Sequence, residues 1–311
     1  MITLERLTKK FGSILAVDGL SLSVQRGEVL GFLGPNGAGK TTTMRMITGF
    51  LSPTGGTVAV GGFDVTKTPI AVRRLIGYLP EGAPLYGDMT PAAFLDFIAG
   101  MRGFGGAEKK RRMDWTVETL QLGDVLHRPI DTLSKGYKRR VGLAQAILHD
   151  PAVLILDEPT DGLDPNQKHQ VRALIRSMAR DKAIVISTHI LEEVEAVCTR
   201  SVVIAGGRIV FDGAPRDLQR RSRRHNAVEI RLAVQSSAAL AGEIAALPGV
   251  AAVDALDEEG GLATLLVVPH DGRPIIHDLS ECIRASGLAI EEMHTERGDL
   301  AEVFRQLTIA A

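Results

Sequence analysis

The sequence predicts an α/β fold in two parts: a core built on a largely parallel sheet with helices on its faces, then a smaller α+β domain. Three observations predict it. Between residues 137 and 213, stretches at helical spacing (141–149, 166–180, 191–197) alternate with short apolar runs (153–156, 183–187, 201–205). Alternation of this kind sets strands side by side, with crossover helices covering them. Near the N-terminus an apolar strand, 28–33, enters a glycine-rich loop and then a helix, 42–49. Beyond residue 227 the elements read βαββαβ, then one more helix.

Taken in order, residues 1 to about 85 read as short strands with glycine-rich turns, interrupted by the helix after the loop. A helical insertion follows over about 88–135, with apolar residues at helical spacing in 91–101 and 107–120. A polar turn, Ser134-Lys135-Gly136, opens the next amphipathic helix. Residues 216–226 carry the basic run RDLQRRSRR and read as a solvated linker. In the last part, Val228, Ile230, Leu232 and Val234 alternate with polar residues as in a half-buried strand. A helix (237–246), two strands (250–256, 262–268), a helix (274–285), a strand (288–294) and a final helix (299–307) complete residues 227–311. That is the order of a ferredoxin-like split βαβ domain.

Composition narrows the class. The 311 residues are 45% hydrophobic and 23% charged, enough for a packed core. A formal net charge of −1 argues against nucleic acid as the main partner. The two cysteines, Cys198 and Cys282, form no CxxC pair, which argues against a disulfide framework or thiolate metal site and fits a reducing compartment. The chain opens on a strand-like Ile2-Thr3-Leu4, so no secretory leader is expected. No apolar run reaches the roughly 18 residues that span a bilayer, so any membrane role would run through a partner.

The loop Gly34-Pro35-Asn36-Gly37-Ala38-Gly39-Lys40-Thr41 matches GxxxxGK[ST] at every fixed position, between strand and helix. Its glycines let backbone N–H groups curl around phosphate oxygens, and the helix N-terminus adds partial positive charge. Lys40 would neutralise the β- and γ-phosphates of a nucleotide, and the Thr41 hydroxyl would ligate magnesium. Downstream, Asp157 and Glu158 end an apolar strand, where open parallel sheets bind ligands. Neighbours on a strand point to opposite sides, which allows two roles. Asp157 suits a magnesium role, and Glu158 suits the polarisation of an attacking water. His189 follows the next buried strand and is placed to orient that water.

At this point the chain resembles the ATP-binding cassette (ABC) ATPases over residues 1 to about 215. The matched elements are GPNGAGKT at 34–41, LSKGY at 133–137, LILDEP at 154–159, the loop through Gly162-Leu163-Asp164, and His189. The resemblance implies a core sheet with an antiparallel β-subdomain and a helical subdomain, and ATP and Mg2+ as ligands. It implies that Phe11 stacks on adenine, that Thr42 joins the phosphate contacts, and that Glu81, with Thr41 and Asp157, meets magnesium. It also implies a homodimer, closed head to tail, in which Ser134, Gly136 and Asp164 help to hold ATP, the first two contacting the partner subunit's nucleotide. Two positions depart from the family's commonest pattern. The signature usually reads LSGGQ, and the Glu81 position usually carries Gln.

YLPE at 78–81, LSKGY and the C-terminal domain together look like the ATPase subunits of type-2 ABC exporters, most of all the gliding-motility-associated group. The implied role is ATP hydrolysis on the cytoplasmic face of a cell membrane, driving a separate permease that docks near Glu81. The other class in the family, soluble ATPases acting on ribosomes or DNA, usually carries two cassettes, coiled coils or zinc insertions. None of these features is read in this sequence.

Overall fold

A computed structural model of the chain describes residues 1–309. The chain forms two compact units, Met1–Ala214 and Pro215–Gln306.

In the first unit, β1 (Ile2–Phe11) and β2 (Ile14–Val24) make an antiparallel hairpin. β3 (Val29–Leu33) enters the glycine-rich loop and helix α1 (Lys40–Ile47). β4 (Gly55–Val60) and β5 (Phe63–Asp64) extend the hairpin into a four-stranded antiparallel sheet, ordered β2-β1-β4-β5. Helix α2 (Pro69–Leu75) leads to β6 (Ile76–Leu79). The helical insertion holds α3 (Pro91–Met101), begun by Thr90, whose hydroxyl caps Ala93 N–H, and α4 (Gly106–Thr119). Then come α5 (Lys135–Ile147), β7 (Val153–Asp157), α6 (Pro165–Ala179), β8 (Ala183–Ser187), α7 (Leu191–Val197), β9 (Arg200–Ala205) and β10 (Arg208–Gly213). The main sheet is ordered β10-β9-β3-β8-β7-β6, parallel except for the pairing of β9 with β10.

The apolar runs of β7 and β8 are buried on both faces. Val153, Ile155, Ala183 and Val185 pack into the cluster shared with the antiparallel sheet, where Leu4, Leu20 and Val58 sit. Leu154, Leu156, Ile184 and Ile186 pack the other way, against Val141 and Leu143 of α5 and Val171 and Ile175 of α6. That is why these strands read as continuous rather than alternating. Each buried Leu or Ile contributes roughly 1.5–3 kcal/mol, so the sheet is held from both sides.

The second unit begins with α8 (Pro215–Gln219) and continues with β11 (Val228–Ala233), α9 (Val234–Ala245), β12 (Val250–Glu259), β13 (Leu262–Pro269), α10 (Ile276–Ser286), β14 (Ile290–Thr295) and, as far as Gln306, α11 (Leu300–Ile309). Its four strands pair antiparallel in the order β12-β13-β11-β14. Val228, Ile230 and Leu232 face Leu240 and Ile244 of α9 and Leu279 and Ile283 of α10.

Three local expectations change. Residues 216–226 are folded within the second unit rather than forming a solvated linker. Leu218 and Ser222 are buried, and the Ser222 hydroxyl donates to Glu302 and accepts from the N–H groups of Arg224 and Asp299. Val234 starts α9 instead of ending the strand. Helix α1 begins at Lys40 rather than residue 42, because Gly39 takes the left-handed turn that starts it.

Candidate active site

The register of the main sheet assembles the site. Phe32 of β3 and Asp157 of β7 both pair with Ser187 of β8, so the C-terminal ends of three strands lie side by side. The loop after β3 must turn sharply there. Gly37 and Gly39 have φ of 82° and 105°, and a Cβ on Gly39 would lie 2.5 Å from the Ala16 carbonyl. Only glycine satisfies both demands.

Lys40 is 8% exposed, and its ammonium donates to the carbonyls of Gly34 (2.6 Å) and Pro35 (3.1 Å). Burial lowers its pKa, while Glu158, Asp157 and Glu81 pull the other way. Thr41 Oγ1 lies 3.3 Å from Asp157 Oδ2, across 116 residues of sequence. These two oxygens are the hard donors that magnesium takes, so the residues present fit that ion. Thr42 follows within the first turn of α1.

Glu158 is not on the strand. Its backbone turns left-handed, φ 51°, immediately after Asp157, and its N–H donates to Ser187 O at 2.9 Å. The alternation of strand side chains therefore does not set the two acids apart; this left-handed turn does. His189 Nδ1 lies 2.8 Å from Glu158 Oε1, so the two residues form one hydrogen-bonded pair. A non-glycine residue in this region is strained by about 1–3 kcal/mol, and such strain clusters at functional sites.

Two charged residues that sequence reasoning missed hold this arrangement. Arg139 of α5 is 6% exposed. Its guanidinium donates to the carbonyls of Pro80 (2.9 Å) and Glu81 (2.7 Å) on one side, and of Asp157 and Glu158 on the other. Glu193 of α7 is buried and accepts from the hydroxyls of Thr188 (2.9 Å) and Thr160. It thus joins the segment before His189 to the segment after Glu158. Burial raises the Glu193 pKa. The Lys138-Arg139-Arg140 run gives no sign of this in sequence, since three basic residues in a row read as a solvent face.

The remaining expected residues lie elsewhere. Glu81 follows β6 and is joined to Asp157 and Glu158 through Arg139. Phe11 ends β1 half-exposed, with Lys9 Nζ 5.2 Å from its ring centroid. Ser134 caps α5, accepting from Tyr137 N–H at 3.3 Å, and Asp164 caps α6, accepting from Gln167 N–H at 2.9 Å. Gly136 sits where a Cβ would meet Gln167 Oε1 at 2.6 Å, so the two helix starts face each other closely. Lys135 pairs with Asp161 at 2.9 Å, which lowers the Asp161 pKa. Among the described residues, no hydrogen bond joins Ser134 or Gly136 to the loop 34–41 of the same chain.

Comparison with known proteins gives a consistent picture. The family model described as ABC transporter matches residues 17–161. The uncharacterized ABC transporter ATP-binding protein YxlF of Bacillus subtilis is 34% identical over 310 residues, covering 100% of both chains. The Nod factor export ATP-binding protein I of Ralstonia nicotianae is 38% identical over 219 residues, 70% of this chain and 68% of its own. A solved structure of the ATP binding subunit of an ABC transporter has a TM-score of 0.66 and 31% identity, covering 71% of this chain and 92% of that one.

Proposed function

The chain belongs to the ABC transporter ATP-binding family, and on that premise we propose how its residues divide the work of ATP hydrolysis. Gly34 to Thr42 cradle the phosphates, with Lys40 leaving the Gly34 and Pro35 carbonyls for the β- and γ-phosphate oxygens. Glu158 draws a proton from water as it attacks the γ-phosphorus, and His189, bonded to Glu158, orients that water. Thr41 and Asp157, with Glu81 beside them, would hold magnesium, which when bound neutralises charge developing on the phosphates. Phe11 supplies a stacking face for adenine. The observation that carries this reading is the meeting of Thr41 with Asp157 beside the Glu158–His189 pair.

Replacing a general base costs typically 10²–10⁴-fold in rate, about 3–5 kcal/mol of barrier. Glu158→Gln is expected to bind ATP and lose turnover by that factor in a phosphate-release assay. Turnover near the wild-type rate would overturn the assignment.

The chain is the ATP-hydrolysing subunit of an ABC transporter. Among the described residues no helix is long and apolar enough to cross a membrane, which supports a separate permease. We read the system as a type-2 exporter of the gliding-motility-associated kind, the subunit lying on the cytoplasmic face of the membrane. A relative named for Nod factor export supports the direction. Two copies would close head to tail, so that Ser134 and Gly136 of one complete the site of the other, with Asp164 among the residues that help to hold ATP. The permease would dock near Glu81. Arg139 supports that route, since one guanidinium holds both the Glu81 and the Glu158 carbonyls. The 227–311 domain fits a ferredoxin-like accessory role. Purification from detergent-solubilised membranes is expected to yield a polytopic partner; ribosomes or DNA in its place would refute the transport reading.

A further inference from the structure

The second unit carries a cluster unrelated to the nucleotide site. On β11 and β14, Glu229 and His294 are direct cross-strand partners, so their side chains leave the sheet on one face. Glu296 lies two residues beyond His294, just past the end of β14. Its position is fixed by backbone bonds from Glu296 N–H to Ala227 O (2.7 Å) and from Asn226 N–H to Glu296 O (3.0 Å). His294 Nε2 faces both carboxylates, 3.9 Å from Glu229 Oε2 and 3.6 Å from Glu296 Oε1. The three donor atoms all lie within 4.8 Å of one another. The other ring nitrogen, Nδ1, lies 3.6 Å from Glu292 Oε1. Among the described residues, no lysine or arginine ion pair neutralises any of these three glutamates.

We propose that Glu229, His294 and Glu296 bind one divalent transition-metal ion of the zinc type. The donor set of one imidazole and two carboxylates suits such an ion, whereas magnesium and calcium favour all-oxygen sites. A tetrahedral ion with bonds of about 2.0–2.1 Å holds its donors about 3.4 Å apart. The two contacts at Nε2 therefore need to close by only a few tenths of an ångström. Three protein donors leave one position for water or a further ligand. Glu292 Oε1 lies 3.6 Å from Nδ1, just outside hydrogen-bond range, so a small closure on metal binding would let it accept the second N–H, as a carboxylate usually does for a ligating histidine. The ion would also offset the charges of the two ligating carboxylates, Glu229 and Glu296. Bound there, it would tie the chain after β14 back onto β11.

The test is calorimetric titration of Zn2+ into the nucleotide-free full chain, with circular dichroism melts of the same samples. Wild type is expected to bind one equivalent with micromolar affinity and to melt at higher temperature with the metal. His294→Ala, at an exposed position, is expected to keep the metal-free melting temperature and lose at least 100-fold in affinity. Glu292→Gln is expected to keep the stoichiometry and weaken binding by about tenfold or more. If His294→Ala folds poorly, Glu229→Gln reads the same loss. His277→Ala, which removes a histidine outside the cluster, is expected to change nothing. Unaltered Zn2+ binding in both His294→Ala and Glu229→Gln, or no binding to wild type below millimolar Zn2+, would overturn the proposal.

Discussion

Arg139 offers the sharpest test of how the site is held. Arg139→Met keeps much of the stem's volume and deletes four hydrogen bonds. One of the abandoned carbonyls, Asp157 O, is fully buried, and the other three contacts are partly open to water. An unsatisfied buried carbonyl costs about 2 kcal/mol, and water-reachable ones about 0.5 kcal/mol each. The expected loss is about 3–4 kcal/mol, which lowers the melting temperature of a domain this size by roughly 10 °C. The catalytic effect is expected to be larger. Glu158 is held left-handed between its own bond to Ser187 and the Arg139 clamp, and a displacement of about 1 Å costs on the order of 10²-fold in rate. Arg139→Lys discriminates further: an ammonium is a point charge and cannot span two carbonyl pairs as a planar fork does. ATPase assays and thermal melts of both variants check this. A Lys variant equal to wild type in rate and melting temperature would refute the reasoning.

Further outcomes follow from other sites. His149 is buried against the Ile76 carbonyl, and burial, helped by the Arg102 charge, lowers its pKa from 6.5 to about 4. A base depressed in the folded state adds stability above pH 6.5 that is lost as pH falls toward 4, here up to about 3 kcal/mol. Urea melts should show that acid-side loss in wild type and a flatter profile in His149→Gln; parallel profiles would contradict it. In a Glu158→Gln background, Ser134→Ala should abolish the ATP-dependent dimer seen by size exclusion, beyond the roughly 1 kcal/mol cost of losing its helix cap. Persistence of that dimer would rule Ser134 out of the shared site. Glu81→Gln should make ATP binding less steeply dependent on magnesium, because a negative charge beside the phosphates is removed; equal dependence in a nucleotide titration would sink that role.

What was legible in the sequence was what local chemistry decides. The loop at 34–41 announced itself because its glycines and Lys40 are needed at fixed spacing whatever surrounds them. β7 and β8 were plain because both of their faces are buried, leaving unbroken apolar runs. The residues that escaped notice owe their place to neighbours far along the chain. Arg139 and Glu193 are charged residues on helices, and nothing local says that carbonyls near residues 80 and 157, or hydroxyls at 160 and 188, will enclose them. The RDLQRRSRR run misled for the same reason. Its composition is that of a solvated linker, but Leu218 and Ser222 turn inward, and Ser222 binds Glu302, 80 residues away.

The left-handed turn at Glu158 has a consequence for how this position drifts over generations. Backbone comfort there favours glycine or asparagine. Chemistry alone favours glutamate. Selection for stability and selection for turnover therefore pull residue 158 in opposite directions. In a lineage that stopped needing hydrolysis but kept the scaffold, this would be among the first positions of the site to change, and the change would make the protein more stable.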